Sequence, residues 1–189
     1  MKSRLPLSTK FGATLISKPG IKSILPVCSW WEFEHYRQGK LIDQWEQKNV
    51  NTNEGLNHML NVAFNSATQI TAWYMGLFED DYTPLNTDTY AVPGFTESTA
   101  YDEATRVAYV DATATTKVMT NSASKATFTI SDTKTIYGAF LCGGGTGAAT
   151  KGDAAGGGTL FASSKFATAK DVVDDDILMV VCSITLADV

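Results

Sequence analysis

The chain has 189 residues, 44% of them hydrophobic; a domain of this length hides roughly two-thirds of its unfolded surface, so one substantial core is expected. Its net charge of −5 argues against a nucleic-acid or anionic-membrane partner, because phosphate binding needs clustered Lys and Arg to displace counterions. No stretch approaches the ~20 apolar residues of a membrane span.

Charge is divided unevenly along the chain. Residues 1–31 hold five bases (Lys2, Arg4, Lys10, Lys18 and Lys22) and no acid, while the other ten bases stand against all 20 acids, so a +5 start precedes a −10 remainder. Lys10, Lys18 and Lys22 interrupt every apolar run before a signal-peptide core can form, and Leu25-Pro26-Val27-Cys28 lacks the apolar stretch and the small residue of a lipid-attachment box. Pro6, Pro19-Gly20 and Pro26 punctuate a segment without periodicity, so residues 1–28 are expected to form an extended arm and residues 29–189 the body. At ~3.3 Å per residue the arm spans ~90 Å, against ~40 Å for a compact body, and reaches a neighbouring subunit.

From Trp30 the pattern alternates: Trp31, Phe33 and His35 on one face, Trp30, Glu32, Glu34 and Tyr36 on the other, then Arg37-Gln38-Gly39-Lys40 and Leu41, Asp43, Trp45. This predicts a β-hairpin with positive φ at Gly39. Trp30 and Trp31 point to opposite faces and cannot both enter one core; one of them is expected to pack under the arm or a neighbour. A helix over about residues 52–64 follows, with Asn51 as N-cap, Glu54 closing a capping box, and Leu56, Met59, Leu60, Ala63 and Phe64 forming one stripe that should pack on a sheet. Period-two or short apolar runs then recur at 73–78, 106–111, 117–120, 125–130, 135–141, 159–166 and 177–186. About nine strands and one helix, with no alternation of strand and helix, point to a mainly β, antiparallel β-sandwich, of which the jelly roll is the commonest type.

Two long connections carry no periodicity. Residues 79–105 contain Pro84 and Pro93-Gly94, and Gly143–Gly158 has eight glycines in 16 residues; the second is expected to be a flexible surface loop that orders against a partner. It does not open a helix and lacks the Gly-Lys-Ser/Thr order, so it does not match a phosphate-binding loop. Asp171 and Asp174-Asp175-Asp176 lack the spacing of a calcium loop and read as an acidic turn before the last strand. Cys28, Cys142 and Cys182 are widely spaced and read as reduced, buried thiols. His35 and His58 read as structural or surface histidines, and Glu32 and Glu34 as a solvated strand face. No catalytic, cofactor or metal residue is assigned. The candidate partner-binding residues are Lys2, Arg4, Lys10, Lys18, Lys22, Trp30 and Trp31.

The order Thr52-Asn53-Glu54-Gly55-Leu56-Asn57, Trp73-Tyr74-Met75-Gly76-Leu77, Phe95-Thr96-Glu97, Tyr101, Asn121–Ile130 and Gly138-Ala139-Phe140-Leu141 resembles small virion proteins of tailed double-stranded DNA bacteriophages. It is similar to those that act as capsid decoration or cement proteins with jelly-roll bodies. The resemblance covers roughly residues 49–187. The hairpin and arm before it lie outside the pattern, and the insert at Gly143–Gly158 is longer than the usual loop. The resemblance implies a non-enzymatic structural protein on the capsid surface, assembled in the host cytoplasm. Its partners would be the major capsid protein and further copies of itself, as a dimer or trimer. Relatives of this type also include tail and fibre components, so the place on the particle stays open.

Overall fold

In the computed structural model, which describes residues 27–187, alternation becomes two packed antiparallel sheets. Strands β1 (Val27–Arg37) and β2 (Lys40–Lys48) form the expected hairpin, turning on Gln38 and Gly39 with φ of 51° and 73°. Two successive positive φ values match the right-handed twist of the strands they join. The last two residues assigned to the arm, 27 and 28, belong to β1. The five arm bases lie outside the described residues.

The first sheet runs β2, β1, β11 (Ile177–Leu186), and the far edge of β11 is shared end to end by β7 (Val118–Thr120) and β8 (Ala126–Thr129). The second runs β3 (Val50–Asn51), β10 (Thr159–Val172), β9 (Lys134–Gly143), β4 (Trp73–Phe78), with β5 (Glu97–Ser98) and β6 (Val107–Ala108) along the far edge of β4. Inward residues Trp31, Phe33, Phe128, Leu178 and Val180 of the first sheet meet Met75, Leu77, Ile136, Leu141 and Phe166 of the second in one core. Each such side chain contributes about 1.5–3 kcal/mol by leaving water. Phe33 is the hinge of this packing, stacked on Trp45 at 5.1 Å and meeting Phe166 edge-on at 4.7 Å. The chain is therefore mainly β with antiparallel sheets and one helix. No helix among the described residues is long and apolar enough to cross a membrane.

The helix differs from expectation in its cap and in its packing. Helix α1 spans Asn53–Phe64 and is capped by Thr52, whose hydroxyl accepts from the Gly55 amide at 3.0 Å. Asn51 is not free for that role: it lies in β3, and its side chain donates to the Val27 carbonyl at 2.7 Å. Glu54 does not return to the cap either. Its carboxylate accepts the amides of Tyr90 and Leu160 at 2.8 and 2.7 Å, tying the helix start to a loop and a strand. Only Gly55 of the helix is buried, and the apolar stripe is not laid on a sheet: Leu60 is 52% and Phe64 85% exposed.

Contact through glycine explains the posture. A Cβ at Gly55 would stand 2.6 Å from Phe161 Cα and 2.9 Å from its carbonyl oxygen, so the first turn lies against the backbone of β10. Gly55→Ala should lower stability by about 1–3 kcal/mol through overpacking, despite the ~1 kcal/mol that alanine favours over glycine inside a helix. Urea unfolding followed by circular dichroism would register this as a lower midpoint; an unchanged or raised midpoint would mean the helix start has room to shift.

The two long connections form a cover over the outer face of the second sheet. Along β9, Ala139 and Leu141 enter the core between the sheets while Phe140 and Cys142 point outward, yet all four are buried. Tyr90 and Phe95 from the first connection and Ala148 from the second close over Phe78, Phe140, Cys142 and Leu160. Phe78 reaches this layer only because Gly138 has no side chain, since a Cβ there would lie 2.1 Å from the Phe78 ring. Both faces of the sheet are thus covered, which is why Tyr137–Gly143 lacks a polar alternate.

Candidate interaction surface

The cover is locked by Arg106, a residue that carried no role in the sequence reading. The side chain is 3% exposed, and its Nε and Nη2 donate to the two carboxylate oxygens of Glu97 at 2.9 and 2.6 Å. Its Nη1 donates to the Tyr90 hydroxyl and the Ala148 carbonyl at 3.0 and 3.1 Å, and Nη2 also to the Asp153 carbonyl at 2.7 Å. Five donors on a guanidinium meet five oxygens, so none is left aimed at a ligand. Burial alone would weaken its hold on the proton, but the Glu97 pair more than offsets this and raises its pKa.

The glycine-rich segment is pinned from the same centre. Asp153 accepts from the Tyr90 hydroxyl and from the Gly156 amide, both at 2.8 Å, and Lys151 donates to the Tyr101 carbonyl at 2.7 Å while its ammonium sits 4.3 Å from the Tyr101 ring. The expectation of a flexible loop awaiting a partner gives way to a loop ordered by its own chain. Burial pushes the Tyr90 hydroxyl and the Cys142 thiol up to about 12. Cys142 beneath this cover therefore stays a thiol at neutral pH and makes a poor nucleophile.

The acidic turn holds a second buried charge. Asp176, 1% exposed, accepts from Arg37 Nε and Nη2 at 2.8 and 2.7 Å and from the Val173 amide at 2.9 Å, with His35 Nε2 at 2.8 Å. His35 is 3% exposed and faces this carboxylate from inside β1. Asp174 and Asp175 remain exposed. Glu32 is exposed as expected; Glu34 is half-buried and pairs with Lys125 at 2.7 Å, so the two carboxylates have different surroundings but no shared cleft.

Trp30 and Trp31 divide as their alternation requires. Trp31 is fully buried in the core, so the folded body withdraws it from the surface and it cannot serve as a partner contact. Trp30 is 40% exposed, its indole donating to Glu46 at 2.9 Å and its ring lying under the Lys48 ammonium at 5.6 Å. No family model and no curated protein matches this chain.

A larger apolar surface lies at the end of the sandwich. A groove of about 360 Å³ opens between the second half of α1 and the end of the first sheet, lined by Met59, Val62, Trp73, Met119, Ile184 and Leu186 among others. Ile184 packs against the central core, so the groove is the open mouth of that core. Met59 and Ala63 of the helix stripe line it, while Leu60 and Phe64 stand exposed outside it. Helical periodicity exposed the stripe in the sequence; only the tertiary structure reveals that it is uncovered.

Proposed function

We propose that the chain is a virion structural protein, a capsid decoration or cement protein that binds the outside of a phage head and bridges major capsid protein subunits. The observation that carries this reading is the charge division between an acid-free start, +5 over residues 1–31, and a −10 remainder. An arm of one subunit crossing the acidic body of the next would gain register and encounter rate from that complementarity. A body whose loops are closed by its own Arg106 supports a rigid tile better than an enzyme built on mobile loops. Self-association as a dimer or trimer on the particle belongs to the same proposal. The nesting of β1 with β11 in one sheet and of β3 with β10 in the other supports a jelly-roll description of the body; the adjacent β9 and β10 mark where the strand order departs from it.

The test reverses the charge of the arm in the full chain, changing Lys2, Arg4, Lys10, Lys18 and Lys22 to Glu, and measures co-sedimentation with undecorated heads. Binding should fall at least tenfold, and binding by the unaltered chain should weaken as salt rises, since exposed charges are screened within about 8–10 Å at 0.1–0.15 M. Unchanged decoration by the reversed chain would remove the arm from the mechanism. Glycan binding abolished by Trp30→Ala would instead favour a receptor-binding tail or fibre component, the reading that an exposed Trp30 favours.

A further inference from the structure

We infer that the groove between α1 and the end of the first sheet binds a single-chain fatty carboxylate, with the alkyl chain along its floor and the head group between His58 and Lys117. The inference does not rest on the proposed capsid role. It starts from the walls. At about 360 Å³ the groove falls within the ~300–1,000 Å³ of small-molecule sites, which are mostly apolar with a few convergent polar groups. Leu141, Phe161 and Tyr109, all buried members of the core, form its floor. The Tyr109 hydroxyl donates to the Cys182 carbonyl at 3.1 Å and is satisfied within the fold, so the floor asks for no polar partner.

The side chains around that floor suit a flexible apolar guest. Met59 of α1 and Met119 of β7 line the groove from opposite walls, and unbranched methionine side chains refit to what lies between them. Trp73 adds an aromatic surface, held by the edge of the His58 ring at 6.1 Å.

Charge selects the head group. Acids outnumber bases by 20 to 15 in the chain, yet among the described residues no Asp or Glu lines the groove, whereas His58 on the helix wall and Lys117 on the sheet wall do. A carboxylate entering here meets no like charge, while an alkylammonium would meet a lysine and no counter-charge. Lysine has three donors and can serve a carboxylate alongside contacts within the chain, and the His58 ring brings an N–H from the facing wall. The same helix of a second copy would bring no such anion, because the carboxylate of α1, Glu54, is held by the Tyr90 and Leu160 amides.

The experiment uses the isolated full-length protein, so its result is independent of whether the chain decorates a head. Titration calorimetry at neutral pH, below the micelle concentration of each amphiphile, should show saturable binding that tightens roughly tenfold for each two methylenes added from hexanoate to decanoate, the gain expected of buried CH₂ groups. Decyltrimethylammonium, which carries the same alkyl chain on a cationic head, should bind at least tenfold more weakly than decanoate. Ala63→Trp, a substitution at an exposed position on the groove wall, should abolish decanoate binding by filling the groove. The comparison of chain lengths and head groups uses the unaltered chain and stands whatever that variant does to folding. No saturable binding of millimolar decanoate, equal affinity for the two head groups, or full binding by a folded Ala63→Trp chain would each overturn the inference. Sedimentation run beside the titration reads the rival occupant: a dimer that Ala63→Trp dissociates and decanoate leaves intact would give the groove to a second copy, and this too would overturn it.

Discussion

Arg106→Met should destabilise the protein by about 3–5 kcal/mol, the cost of breaking a buried ion pair by removing one partner. Against the total of about 5–15 kcal/mol typical of a domain this is about a fifth or more. The physical reason is the carboxylate left behind: the Glu97 side chain is 9% exposed, and without Arg106 the donor that remains to it among the described residues is the Gly152 amide at 2.9 Å. The Ala148 and Asp153 carbonyls and the Tyr90 hydroxyl lose a donor in the same step. Adding Glu97→Gln should recover part of the loss, because the pair is then replaced by neutral groups and no uncompensated charge stays buried. Urea unfolding of the two single variants and the double variant measures the coupling. A loss below 1 kcal/mol for Arg106→Met, or losses in the double variant that simply add, would show that the cover is held by its aromatic packing rather than by the charge at its centre.

Part of this architecture was legible in the residues. Period-two alternation put Trp31, Phe33 and His35 on the inner face of β1, and the two runs bounded by Trp73 and Phe78 and by Ile177 and Leu186 appear as strands with those same limits. Alternation works there because one face meets the core and the other meets water. It says less about β9, where Ala139, Phe140, Leu141 and Cys142 are apolar in succession; the signal for a second covered face was present, but nothing local identifies the covering segment. The glycines between 143 and 158 misled because composition reports conformational freedom, whereas these glycines also serve close approach. A Cβ at Gly145 would stand 2.1 Å from the Gly156 carbonyl oxygen. Arg106 left a fainter trace: residues 79–105 hold seven acids and no base, and Arg106 is the first cation to follow. The stripe of α1 was read correctly as apolar, but amphipathicity states which face avoids water and not what shields it.

Asp176→Asn tests the other buried charge, and its signature lies in the pH dependence. Burial would push this carboxyl up, but the Arg37 guanidinium, the Val173 amide and His35 overrule burial and hold it well below the usual carboxylate range. A native pKa below the unfolded value of about 3.9 means that the stabilisation is complete above that pH and is lost as pH falls from about 4 toward the native value. At pH 7 the asparagine variant should be less stable by about 2–3 kcal/mol, the worth of charge-assisted hydrogen bonds whose cationic partner can return to water. The Arg37 side chain is 40% exposed, so it is not stranded when the carboxylate goes. Glu34, Asp43 and Asp153 are also lowered, first through Lys125, Lys170 and the Gly156 amide respectively, so acid should weaken both proteins. What distinguishes Asp176 is the difference between them, which should narrow steadily from pH 4 to pH 2.5 as the wild-type carboxylate approaches protonation. Denaturant midpoints at pH 7, 4 and 2.5 would measure it. A gap that stayed constant across those three values would mean that asparagine loses shape complementarity rather than charge, and that the Arg37 and His35 contacts stabilise β1 without depending on the ionised carboxylate.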